Sequence, residues 1–202
     1  PQLENAIINF DDAFGRELAM KLLAGDGPKV WGYALSRNAF AGFEKFGDGL
    51  KRVYAENTLF TTAGYESQFN CDALGSSAVQ LAVLGEFNLS NCLAVWTVLL
   101  AQGLSPDEAS KRMSKLSAVP GRMELMRLNK TPKTEGPLIV VDYAHTPDAL
   151  SKALNALRPI ANQRDGKLWC VFGCGGDRDL GKRPQMGSVA QEFADHIVIT
   201  SD

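Results

Sequence analysis

The sequence predicts an α/β fold with a parallel sheet in its second half. Three observations lead there. Toward the C-terminal end, short apolar runs alternate with amphipathic stretches: "LIVVD", "TPDALSKALNAL", "KLWCVFG", "PQMGSVAQEFA" and "HIVIT". Alternation of this kind needs crossover connections, and those make a parallel sheet. Each apolar run is followed by polar residues, and the ligands of parallel sheets meet the loops after the carboxyl ends of strands. Finally, the 202 residues are 45% hydrophobic, enough to bury a core in one domain or two small ones.

Taken in order, "NAIINF" reads as a short buried strand. "DDAFGRELAMKLLAG" reads as a helix capped by Asp11 or Asp12 and ended by Gly25. From Lys29 to about Gly85, apolar stretches separated by Gly and Asp predict strands in a meander. "GEFNLSNCLAVWTVLLAQGL" is the clearest helix, expected to be buried and capped by Asn88 or Ser90. "SPDEASKRMSKL" is the next, with Ser105 as N-cap, Pro106 at the first helical position and Glu108 closing a capping box. "AVPGRMEL" breaks the pattern at Pro120-Gly121, and the domain boundary is expected near Pro120–Arg122. The strand–helix alternation follows, with Thr146 and Pro147 starting one helix and Pro184 as the first residue of the other.

A net charge of -2 advertises no nucleic-acid surface. No apolar run approaches the length that spans a membrane, and no charged-then-apolar leader opens the chain. Four scattered cysteines fit a reducing cytoplasm better than a disulfide scaffold. The chain opens at Pro1 directly into an apolar run and stops at "HIVITSD", so both ends are expected to be cuts.

Polar residues gather at three strand ends: "DYAHTPD", "CGGDRDLGKRP" and "SD". In the first, Asp142 follows three apolar residues, where a carboxylate can accept from ribose hydroxyls. Thr146 and Pro147 are explained by the helix start, which leaves Asp142 and His145 as ligand candidates. The second contains G-x-x-x-x-G-K from Gly176 to Lys182, one residue short of a phosphate-cradling loop. Arg183 stands where that loop needs Ser or Thr, and Asp177 and Asp179 would repel phosphate, so a phosphate loop is rejected. Arg178, Lys182 and Arg183 suit carboxylates instead, and the interleaved aspartates suit an ammonium, which together describe an amino-acid site. The competing reading is a solvated network of surface ion pairs. Cys170 and Cys174 lack the spacing of a zinc site, and His196 reads as structural.

"AIINFDD", "GEFNLSN", "VPGRMEL", "VVDYAHTPDAL" and "VFGCGGDRDLGKRPQMG" resemble, in this order, the motifs of the Mur ligases of peptidoglycan synthesis. The resemblance covers essentially the whole chain, and its wording is similar to the diaminopimelate-adding branch. It implies the C-terminal part of a central ATPase domain over residues 1–121. A Rossmann-like C-terminal domain would begin at residue 122. It further implies ATP contacts at Asn88, Asn91, Arg122 and Asp142, with His145 beside them. Arg178 would grip the incoming amino acid, and Asp202 would open an Asp-Asn-Pro-Arg motif that reads meso-diaminopimelate.

The implied reaction joins meso-diaminopimelate to UDP-MurNAc-L-Ala-D-Glu through an acyl phosphate made with ATP. The implied setting is a monomer in the cytoplasm that neither binds nucleic acid nor enters a membrane. The family's G-T-x-G-K-T loop is absent from these residues. Its Mg2+ ligands and carbamylated lysine are expected elsewhere, and no catalytic residue is assigned within the 202. Four alternatives stay open: a lysine-adding ligase, a folate-polyglutamate-type ligase, a non-catalytic Rossmann-like binding module, and an interaction domain whose polar loops are merely solvated.

Overall fold

A computed structural model describes residues 3–61, 64–117, 119–126, 136–175 and 181–201. In the N-terminal half, β1 (Asn5–Asn9) leads into α1 (Ala13–Leu23). Asp12 caps α1, its carboxylate accepting from the Gly15 N–H at 3.0 Å. The chain then enters β2 (Lys29–Ala34), passes two 3-10 turns (Arg37–Phe40 and Glu44–Gly49), and runs through β3 (Leu50–Thr61), β4 (Gly64–Cys71) and β5 (Gly75–Leu81). The sheet order is β1-β2-β3-β4-β5. The expected meander is therefore only half right. β1, β2 and β3 are parallel, and only β3, β4 and β5 run antiparallel. Parallel neighbours require crossovers, which α1 and the two 3-10 turns supply.

Aromatic rings fill this half. Phe10 packs on Phe40 and Phe43 at centroid distances of 4.7 and 4.9 Å. α2 (Glu86–Ala101) buries Trp96 edge-on against Phe69 at 5.7 Å, and the Trp96 indole N–H donates to Ser110 Oγ at 3.1 Å. Ser110 lies on α3 (Pro106–Met113), whose capping box of Ser105 and Glu108 forms as the sequence predicts. α2 begins earlier than expected. Asn88 and Ser90 lie inside it and do not cap it. Gly85, at φ 86°, turns the chain into the helix, and Glu86 places a negative charge at its N-terminus.

In the C-terminal half, β6 (Glu124–Met126) pairs antiparallel with β7 (Ile139–Val141). α4 (Pro147–Gln163) follows, with Thr146 as N-cap and Pro147 first. β8 (Trp169–Gly173) pairs in parallel with β9 (His196–Thr200) across α5 (Lys182–Phe193). Among the described residues β7 finds its ladder partner in β6 and not in β8, so the expected run of parallel strands is realised only at β8–β9. α5 starts at Lys182 behind Gly181, which makes Pro184 its third residue and not its first. The local core joins Leu150, Leu154, Leu168, Cys170, Met186 and Ala190. Arg158 ties the layer together, donating to Asp195 at 2.7 Å and to the Phe193 carbonyl at 2.6 Å.

Contacts divide the chain into two units: Pro1–Ala82 with Phe87–Ser117, and Val83–Glu86 with Ala118–Asp202. Among the described residues no helix is long and apolar enough to cross a membrane.

Candidate functional site

In the first unit, Asn88 and Asn91 stand one helical turn apart near the start of α2. The Asn91 amide approaches Asn88 Oδ1 at 3.5 Å. Asn88 is half-buried and Asn91 exposed, so the pair presents amide donors and acceptors on the polar side of an otherwise apolar helix. Amide groups of this kind match the donor–acceptor edge of a purine.

In the second unit, the "PGRME" turn and the end of β7 form one constellation. Two backbone positions in the turn have positive φ: Gly121 at 71° and Met123 at 47°. Met123 is buried, and a non-glycine residue held there costs roughly 1–2 kcal/mol. Two carboxylates secure the turn. Glu124 Oε2 accepts from the Gly121 N–H at 2.8 Å, and Asp142 Oδ2 accepts from the Met123 N–H at 2.9 Å. Asp142 is thus a fastener as well as a ligand candidate, and among the described residues only its Oδ2 is engaged in this turn.

Between these two anchors Arg122 projects over the Tyr143 ring, its guanidinium carbon 5.9 Å from the centroid. Tyr143 is 72% exposed. His145 is exposed as well, with Nδ1 3.1 Å from the Tyr143 carbonyl oxygen. Arg122, Asp142 and His145, expected from the sequence to serve one ligand, are brought together here. Tyr143 was missed. Its signal was an aromatic residue directly after a strand-end carboxylate, where a flat ring face can meet a base.

Arg178 and Asp202 lie outside the described residues. The described flanks of that loop are Gly173 to Gly175 and Gly181, followed by Lys182 and Arg183 in the first turn of α5. Cys170 is a core residue, and Cys174 packs its sulfur 3.2 Å from Met186 Sδ. Burial pushes the thiols of Cys71 and Cys170 up, and that of Cys92 up to about 11, so these three stay neutral and inert. His196 stacks on Trp169 at 4.3 Å, a cross-strand pair that serves the sheet. Among the described residues, no group of three or more His, Cys, Asp or Glu is arranged to hold a metal ion.

Comparison with known proteins bears on what this geometry serves. The family described as "Mur ligase, glutamate ligase domain" matches residues 121–202. Across its entire length the chain is 44% identical to UDP-N-acetylmuramoyl-L-alanyl-D-glutamate–2,6-diaminopimelate ligase of Janthinobacterium sp. (strain Marseille). The chain belongs to the Mur ligase family. It spans about 37% of the length of the curated relatives it matches. A solved diaminopimelate ligase of the family superposes with a TM-score of 0.65 at 34% identity, over 99% of this chain and 37% of that one. A D-alanyl-D-alanyl ligase from Acinetobacter baumannii is 21% identical. It shares the fold, with a TM-score of 0.68 over 98% of this chain and 39% of that one.

Proposed function

We propose that this chain supplies nucleotide and amino-acid contacts for the ATP-dependent addition of meso-diaminopimelate to UDP-MurNAc-L-Ala-D-Glu. One observation carries the reading: 44% identity over the whole chain to a diaminopimelate ligase. In the reaction, the terminal phosphoryl group of ATP passes to the D-glutamyl carboxylate, giving an acyl phosphate and ADP. An amino group of diaminopimelate attacks the acyl carbon. The tetrahedral intermediate expels phosphate, the amine loses its proton, and the amide remains.

The residues take separate parts. Asn88 and Asn91 hydrogen-bond the adenine edge. Asp142 accepts from the ribose hydroxyls through Oδ1 while Oδ2 holds the Met123 turn. Tyr143 offers its ring face, Arg122 brings positive charge beside it, and His145 stands at the rim. Arg178 and Asp202 read the incoming amino acid, since a guanidinium fork fits a carboxylate and an aspartate fits an ammonium. Residues 1–121 then form part of a central ATP-binding domain, and 122–202 the start of a Rossmann-like domain. The scattered free cysteines support a cytoplasmic setting. Magnesium, when bound, neutralises phosphate charge during such transfers. The described residues do not fit it, since no three His, Cys, Asp or Glu among them are arranged to hold a metal ion.

The test is a chimera in which this chain replaces the matching 203 residues of the Janthinobacterium ligase. Tripeptide formation would be followed by mass spectrometry with meso-diaminopimelate or L-lysine. A folded chimera that uses meso-diaminopimelate supports the proposal. One that prefers lysine, or makes no product, overturns it. In the same chimera Arg178→Ala is expected to weaken use of diaminopimelate by roughly 2–4 kcal/mol in transition-state terms, as for one lost charge pair. The 202 residues alone are expected to show no ligase activity, since they carry no G-T-x-G-K-T loop.

A further inference from the structure

The nucleotide and amino-acid contacts leave a separate polar cleft of the first unit without a task. It measures about 310 Å3. Arg37, Asn38 and Phe40 line it from the first 3-10 turn, Glu44 from the second, Arg52 from β3, and Asp72 from the turn between β4 and β5. Two cations and two carboxylates thus face one small volume.

Among the described residues one ion pair, Arg37 to Asp72, joins these four charges. Arg37 lies over the Tyr54 ring at 5.3 Å and reaches Asp72 Oδ1 only at 3.5 Å, with 63% of its side chain exposed. Arg52 spends two N–H groups on backbone carbonyls, that of Phe43 at 2.8 Å and that of Gly47 at 3.4 Å. A guanidinium carries five donors, so both arginines keep some in hand. Asp72 Oδ1 accepts the Tyr54 hydroxyl at 3.0 Å, which fixes the carboxylate in place. Among the described residues Glu44 forms no ion pair. That one long pair leaves Arg52 and Glu44 without an ion-pair partner among the described residues.

We propose that this cleft binds a small zwitterion of the α-amino-acid type. Its carboxylate lies against Arg37 and Arg52, and its ammonium against Asp72 and Glu44. The charges of the lining sum to zero, so a simple anion meets two carboxylates along with two cations. A molecule carrying both signs answers both. The volume sits at the small end of ligand pockets, roughly 300–1,000 Å3, which suits an amino acid or a dipeptide. Arginine also pairs with carboxylates in a bidentate fashion, which adds orientation to attraction.

The experiment is an amide-resolved NMR titration of the 202-residue chain. The probes are L-glutamate and L-lysine, with acetate, methylammonium and inorganic phosphate as single-charge controls. Saturable shifts at Arg37, Asn38 and Asp72 are expected with an amino acid, and none from the controls at equal concentration. Arg37→Gln and Asp72→Asn should each weaken binding about tenfold, a loss of about 1.4 kcal/mol. Arg37→Lys should restore part of it. The asparagine keeps an oxygen for Tyr54, and Arg37 is exposed enough that its replacement leaves the fold intact, so Arg37→Gln decides alone if the other variant unfolds. The proposal is overturned if no amino acid saturates, if acetate or phosphate binds as well, or if the folded variants bind unchanged.

Discussion

The strands "KVWGYA" and "HIVIT" look alike as text, yet the structure treats them differently. β2 lies between β1 and β3 and buries Val30, Trp31 and Ala34. β9 pairs with β8 alone among the described residues, and all five of its residues are exposed, Ile199 at 71%. Trp169 on the neighbouring strand is 59% exposed. An apolar run establishes that a strand has something to bury. What it buries against comes from elsewhere in the chain, and a two-stranded ladder holds little stability by itself. The first unit is therefore stabilised by its aromatic core, and the second by α4, α5 and the Arg158–Asp195 contact.

The sharpest way to break this comparison is to remove one tryptophan from each unit. Trp96 is fully buried, touches Phe69 edge-on and bonds Ser110. Trp96→Ala should cost about 3–5 kcal/mol, as for a large aromatic deleted from a packed core. Trp169→Ala removes a half-exposed ring stacked on His196 and should cost about 1 kcal/mol or less. Urea unfolding followed by circular dichroism measures both. Equal losses would mean that the face of Trp169 is covered when the protein works.

Next in size is the Met123 turn. Asp142→Ala removes the acceptor of a buried N–H and should destabilise the second unit by about 1–3 kcal/mol. Asp142→Asn keeps one oxygen for that N–H and should recover most of the loss. If the carboxylate also serves ribose, the asparagine variant of the chimera will still bind ATP more weakly than the parent. Calorimetric titration separates the two duties. An asparagine variant with full stability and full affinity would reduce Asp142 to a fastener.

What was legible in the sequence was mostly local. The Ser105–Glu108 capping box and the Thr146–Pro147 helix start each depend on residues within one turn, and both are present. The start of α2 was misjudged because the signal was the φ of Gly85, and not a capping side chain. The parallel pairing of β1, β2 and β3 was missed because parallel partners lie across long crossovers that no short motif marks. Asp142 was picked out for its position after a strand. Its bond to Met123, 19 residues away, was invisible until the chain was folded. The resemblance supplied Asn88, Asn91 and Arg122, which no spacing rule would have selected.

The smallest effect expected is one of pH, and it belongs to the contact that holds the second unit. The Arg158 guanidinium beside Asp195, together with the Leu168 N–H, holds its carboxyl below the usual aspartate value. A carboxyl with a depressed folded value binds protons more readily in the unfolded chain. Its stabilising effect is therefore complete above the unfolded value, near 3.8, and is lost as pH falls through the lower folded value. Glu17 and Glu108 of the first unit are lowered as well, by Lys21 and Ser105, so a bare acid titration mixes the units. Arg158→Gln isolates the contact. Its urea midpoint should lie below the parent's at pH 7, and the gap should narrow steadily from pH 4 downward. A gap independent of pH would assign the role of Arg158 to its bond with the Phe193 carbonyl, and the second unit would then be tied by backbone capping and not by charge.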